Sequence, residues 1–419
     1  MQTQKTHLPS VLTLVLFGIS VLFLILIVAG IFLSSIIDLF SNNGDAAGQM
    51  ISAVAFGFEL ILLLVCARFV YQKSRGDQQA DLPFHFPFVE WQFFVIPAMI
   101  FGALMIGAVI ALTEIRWLTW IFLPVLTLFV IVPPIWLLFG IGSKGIDLGP
   151  RWRFFSVFGI GLTIGPVIMI VLEMVILLGA IITAVVALAV REPVLMQEIA
   201  DLGQMLQNET NPDVVLEMVA PYAGKPIVIA SVLGYIALIV PLIEELFKPL
   251  AVWLFAMKIE TPAQGFALGM LSGSAFALLE SLNASGDGSV SWPVIVAIRA
   301  ATGLLHMTTS GLVGWGIVSA FREKKILRAV SAYLCAVTLH GLWNACAVGA
   351  GISTIGTFIG KPEWMFNILP AVLCGMSVMI LGMFAVLLAS NRKLRIAAQP
   401  AAAPAQLLEN EPGVESSNE

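Results

Sequence analysis

Apolar residues run along this chain in long blocks, most of them at least about 20 residues, the length that carries a helix across a bilayer. Ten such blocks stand at 11–34, 49–71, 91–113, 117–141, 155–188, 226–257, 263–283, 292–320, 327–350 and 365–390. They predict an all-α, polytopic transmembrane helix bundle of about ten spans. The fifth, sixth and eighth blocks are overlong, which predicts tilt, a kink or a helix projecting beyond the bilayer. The longest polar connection, residues 192 to 225, follows the fifth block. Leu195, Ile199, Leu202 and Leu206 recur there at helical spacing beside Glu198 and Asp201, predicting an amphipathic outer helix that rests on the headgroups or guides substrate. Asn208-Glu209-Thr210 within it has the pattern of a glycosylation sequon.

Composition agrees with the blocks: 59% of residues are hydrophobic and 11% charged, against about 25% charged in a soluble domain. Charge also sets an orientation. When the 21 Lys and Arg residues are sorted onto alternating sides of the ten spans, fifteen fall on one side and four on the other, with Lys248 and Arg299 inside spans. Basic residues collect on the cytoplasmic side, so both termini are expected there, in the cytoplasmic (plasma) membrane as a multi-pass protein. The first block is too long for a signal sequence and has no small-residue cleavage site close behind it, so it is read as a retained span. The four cysteines lie within spans and form no C-x-x-C pair, which makes them packing residues. A net charge of −5 gives no sign of a nucleic-acid partner.

The polar residues inside the blocks are unevenly placed. Blocks one to five hold Glu59 and Glu173 and no histidine, whereas blocks six to nine hold Glu244, Glu245, Lys248, Glu280, Arg299, His306, His340 and Asn344. The expected organisation is therefore an N-terminal five-helix membrane region (1–190), an outer amphipathic connection (191–225), a four-helix core carrying the chemistry (226–350), a final span (351–395) and a disordered cytoplasmic tail (396–419).

Within the core one spacing repeats. Glu244 with Lys248, Phe276 with Glu280, His306 with Ser310 and His340 with Asn344 are each four residues apart, one turn along one helix face. Ionised side chains at that depth cost several kcal/mol and mark partners or wet cavities. Two imidazoles with carboxylates suit a general base or a metal, and a His2Glu set is a known zinc arrangement with an open position for water. His306, His340 and Glu280 supply such a set, leaving Glu244 or Glu245 as the base and Lys248 as the charge that holds Glu244 ionised. Gly265, Gly269 and Gly273 repeat every four residues and predict close helix packing.

The segments EELFK (244–248), FALLE (276–280), GLLHMTTSG around His306 and HGLWN (340–344) resemble the motifs of the PrsW family of intramembrane proteases, relatives of the CAAX prenyl endopeptidases and bacteriocin-processing membrane proteases. The resemblance spans residues 226 to about 350. It implies an intramembrane peptidase, a metalloprotease or glutamate-type hydrolase, acting on a membrane-embedded or membrane-anchored protein or peptide within the lipid bilayer. It further implies that Glu244 is the base, aided by Glu245 and Lys248. Asn344 stands where PrsW-like members usually carry Asp, and an amide there can donate to an oxyanion. Zinc (Zn2+) held by Glu280, His306 and His340, or glutamate alone, would activate the water. Two other functions fit the buried charges: an ion-coupled secondary transporter, whose related halves this sequence lacks, and an inactive membrane scaffold or sensor. Glu59 and Glu173 are expected to make helix contacts, and Arg299 to be a snorkelling or packing charge. Counted from the span ends, the motif residues sit at unequal depths, so a kink near Pro241 or Pro249 is expected to bring them together.

Overall fold

A computed structural model describes residues 7–41, 44–207, 209, 212–359 and 363–398. Asn208 and Thr210 of the sequon, and the tail beyond Ala398, lie outside the described residues. Among the described residues, ten helical segments are long and apolar enough to span a membrane. The first four are single helices: α1 (Leu8–Ser41), α2 (Ala46–Ser74), α3 (Gln92–Leu112) and α4 (Arg116–Ser143). The fifth is broken at Thr163 into α5 (Arg151–Leu162) and α6 (Ile164–Arg191). Two helices, α7 (Pro193–Gln207) and α8 (Pro212–Ala223), make the polar connection; Leu195, Leu202 and Leu206 of α7 are half-buried, as an amphipathic helix requires.

The sixth span is the least regular. It comprises α9 (Pro226–Gly234), a π turn (Tyr235–Ile239), α10 (Val240–Phe247) and, after a break at Lys248 and Pro249, α11 (Leu250–Phe255). Then come α12 (Pro262–Asn283), α13 (Trp292–Glu323), α14 (Ile326–Ile359), the short α15 (Glu363–Asn367) and α16 (Leu369–Ala398). The eighth span, α13, is one unbroken helix, so its excess length projects or tilts. The fifth and sixth resolve theirs by breaking.

The centre of the bundle is α12 with α13, whose most apolar stretches are 89% and 78% buried. Their sequence explains the placement. A methyl group on Gly265, Gly269 or Gly273 would strike the carbonyls of Gly314, Ser310 and His306 respectively, so the glycine row lets the two backbones touch. Around this pair pack α2, α4 and α5, with α14 and α16 against α13. Trp292, fully buried, donates its indole N–H to Thr127 Oγ1 of α4 at 2.9 Å. Glu59 of α2 accepts from Asn283 Nδ2 at 2.9 Å, a helix contact of the expected kind. The first and last described helices end on the same side: His7 packs edge-on to Trp152, whose ring also receives Lys258, and Asn391 donates to the carbonyl of Lys144. An even number of spans has this consequence.

Candidate active site

Two prolines shape the segment that carries the first motif. Pro241 has no N–H to offer the carbonyl five residues back, and the preceding turn is a π turn rather than an α turn. The freed Ile236 carbonyl is taken by Asn344 Nδ2 of α14 at 2.9 Å. Gly341, one turn earlier on α14, lies against the carbonyl of Ala237 so closely that a methyl group would collide with it. Pro249 ends α10, and the Lys248 carbonyl at the break accepts from Ser272 of α12. Tyr333 and Trp253 catch the carbonyls of Leu242 and Leu246, at 2.7 and 3.1 Å. Within a bilayer an unsatisfied backbone group costs several kcal/mol. Apart from Trp253, which belongs to the span itself, these side chains come from neighbouring helices, which therefore hold the broken span.

These breaks bring the motif residues together. The Lys248 ammonium is buried at their centre, 2.8 Å from Glu244 Oε2, 2.8 Å from Glu245 Oε1, 2.8 Å from His306 Nδ1 and 3.3 Å from His340 Nδ1. The Phe276 ring lies beneath it, 4.6 Å from the ring centre. An ammonium can only donate, which makes His306 Nδ1 an acceptor and puts that ring's proton on Nε2. Nε2 faces Glu280 Oε2 at 2.6 Å, and Glu280 Oε1 accepts from Arg299 at 3.0 Å. His340 pairs through Nδ1 with Glu245 Oε1 at 2.9 Å, so its Nε2 keeps a lone pair, 3.7 Å from Glu244 Oε2.

The adjacent glutamates are not equivalent. The side chain of Glu245 is completely enclosed and spent on Lys248 and His340, while that of Glu244 keeps 12% of its surface open. One oxygen on each of Glu244, Glu245 and Glu280 is buried without a hydrogen bond. For Glu244 and Glu280 the close contacts, from Lys248 and from His306 Nε2, lie off the line of a hydrogen bond, so directional bonding is left open. A hydrogen-bonding or metal ligand would complete such oxygens.

One ligand atom from each of Glu244, His306 and His340 lies within 4.8 Å of the others, which suits a zinc ion with nitrogen and oxygen donors after a modest inward movement. Glu280, expected in that set, stands behind His306 instead, and Glu245 stands behind His340. Such backing carboxylates orient metal-binding imidazoles. His306 Nδ1 is engaged by Lys248, so this nitrogen would ligate only after that hydrogen bond opens.

Two residues expected to be bystanders lie at the site's edge. Arg299 anchors Glu280; its signal in the sequence is its position two turns before His306 on α13. Glu173 of α6 feels the charges of Glu244, Lys248 and Glu280, has a buried oxygen without a hydrogen bond, and sits beside Tyr235, whose hydroxyl donates to its backbone carbonyl at 2.9 Å. Met169 of α6, Ile243 and Phe276 form a separate apolar cluster on this side of the site.

The family model described as PrsW family intramembrane metalloprotease matches residues 165–373. This chain belongs to the PrsW family. No curated protein and no solved structure matches it. The match takes in α6 and the outer connection as well as the four motifs, so the family segment begins well before residue 226 and includes Glu173. It identifies a peptidase of the membrane interior, with a lipid bilayer around it and a membrane-embedded substrate, and it decides against the carrier reading.

Proposed function

We propose that this PrsW protein is an endopeptidase in which Glu244 removes a proton from a water poised between its own carboxylate and His340 Nε2. The observation that carries this reading is the unequal use of the two glutamates: Glu245 is consumed in fixing Lys248 and His340, and Glu244 alone retains an open edge. Lys248 keeps the Glu244 charge in place. Glu245, accepting from His340 Nδ1, turns the Nε2 lone pair toward the water, and Glu280 orients His306. The hydroxide adds to the peptide carbonyl while the second N–H of Asn344, whose first holds Ile236, receives the developing oxyanion. Collapse breaks the C–N bond, and the proton carried by Glu244 passes to the leaving amine.

With one ligand atom from each, Glu244, His306 and His340 would hold a zinc ion, the second carboxylate oxygen of Glu244 then being the one left to accept the proton. When bound it would supply Lewis-acid activation of water near neutral pH. The substrate class we assign is a membrane-anchored protein or peptide.

Glu244→Gln tests the base, because the amide keeps the shape and cannot accept the proton. Cleavage of a membrane-anchored reporter peptide in proteoliposomes should fall by about a hundredfold or more, with unfolding little changed. Cleavage at the wild-type rate would remove Glu244 from this role.

The excess of basic residues at the end of the bundle shared by His7 and Asn391 supports placing that end in the cytoplasm, with the protein in the cytoplasmic membrane. Reporter domains fused after Lys325 and Arg395 should then read inside, and one after Ser285 outside. The reverse pattern would invert the orientation.

A further inference from the structure

At the end of the bundle that carries Lys258, a cleft of 640 Å³ opens between the start of α12, the end of α13, the start of α14 and the end of α16. Its floor is hydrocarbon: Phe266 is fully buried there, and Leu312, Trp315 and Leu394 are half-buried along the walls. Its rim is basic, with Arg322, Lys325, Arg328 and Lys393 contributed from three sides.

The acids at the rim do not neutralise it. Glu323 answers Lys325 at 2.9 Å and Arg328 at 2.6 Å. Glu260 interacts with the buried Arg153. Arg322 spends Nε and Nη2 on the carbonyls of Ile259 and Met257, and the exposed Lys393 makes no ion pair among the described residues. Arg328 also stacks its guanidinium over Trp315, 5.4 Å from the ring centre, so cationic rim and apolar wall are one surface. Clefts of this kind between helices at the basic side of a membrane protein suit lipid head groups.

We propose that this cleft binds one anionic phospholipid, its phosphate at the rim between Arg328 and Lys393 and its acyl chain along Phe266, Leu312 and Leu394. A zwitterionic lipid would bring its own cation to a rim already in positive excess. A free phosphate would leave the apolar floor without a partner. Bound there, the lipid bridges α16 to α13, the helix that carries His306 two turns from Leu312.

The test uses the full chain in nanodiscs of phosphatidylcholine, with or without an equimolar share of phosphatidylglycerol. Native mass spectrometry after mild detergent extraction should show one phosphatidylglycerol retained per chain, and the thermal midpoint should rise only in discs that contain it. Arg328→Ala with Lys393→Ala should lower retention about tenfold or more. Arg68→Ala with Arg75→Ala, removing two exposed cations in and just after α2, outside the cleft, should leave it unchanged. Lys393→Glu, at an exposed and unpaired position, keeps the test sharp if the double variant unfolds. No retained lipid, an equal loss in the α2 control, or the same midpoint rise with inorganic phosphate alone would each overturn the proposal.

Discussion

Lys248→Met leaves two glutamates without their cation. The change keeps side-chain length and apolar bulk at a position only 1% exposed, so what it removes is charge. At 2.8 Å each carboxylate contact is worth about 6 kcal/mol at an effective dielectric of about 20. Desolvation of the three groups offsets most of that, and removing one member of a buried ion pair costs about 3–5 kcal/mol. The expected loss lies toward the upper end, because Glu244 and Glu245 share one ammonium and Glu245 has only His340 besides. Reversible unfolding in mixed micelles, followed by tryptophan fluorescence, measures it. A double-mutant cycle with Glu245→Gln isolates the pair: neutralising both partners should recover about 1–3 kcal/mol relative to the sum of the single changes. Cleavage should stay absent in the double variant, since His340 loses its carboxylate and Glu244 its cation. Additive single effects, or a Lys248→Met protein as stable as the parent, would refute Lys248 as the counter-charge.

The π turn and the metal give two further expectations. Deleting Ala237 should close the π turn into an α-helix and rotate Glu244 and Glu245 by about 100°, abolishing cleavage although the span shortens by only about 1.5 Å; a deletion variant that still cleaves would show the turn to be dispensable. Elemental analysis of purified protein should find close to one zinc per chain, lost in His306→Ala and in His340→Ala, whereas Glu280→Gln, altering a residue behind the ligand group, should retain most of it. Zinc equally absent from parent and variants, with cleavage intact, would leave water activation to Glu244 and the histidines.

Sequence alone located all ten spans because hydropathy over about 20 residues is a sufficient condition for crossing a bilayer. It anticipated a kink near the prolines of the sixth span but not the π turn, the break at Thr163 or what holds them. An apolar run looks the same whether its helix is continuous or interrupted, and the interruption here is fixed by groups far along the chain: Asn344 at Ile236, Tyr333 at Leu242 and Ser272 at Lys248. The motif pairs were legible because four-residue spacing acts within one helix. Partnerships across helices were not: nothing local to Glu280 announces that its carboxylate serves His306 and Arg299, or that Glu173 of α6 lies in the field of the same site. The kink expected at the prolines occurs at Pro249 as a break, while near Pro241 it takes the form of a π turn on the N-terminal side.

The irregular span also accounts for how residues at unequal counted depths meet. A straight helix through residues 226 to 255 would carry Glu244 and Glu245 at a height and rotation fixed by its lipid-facing first turns. The π turn uncouples them, since its i→i+5 bonding, Val240 N–H to the Tyr235 carbonyl, puts an extra residue in the turn and gives α10 a rotational setting different from that of α9. The second break then frees Lys248, at the end of α10, to fold its ammonium back over both carboxylates and toward α13 and α14. The contacts that permit this come from the helices that supply the histidines: Asn344 and Gly341 lie on the turns of α14 beside His340, and Gly273 brings α12 against the backbone of His306. The residues that hold the broken helix and the two histidines of the site thus share the same helices. A change that relaxes the span would be expected to displace the histidines with it, so folding and chemistry in this bundle are linked through the same few turns.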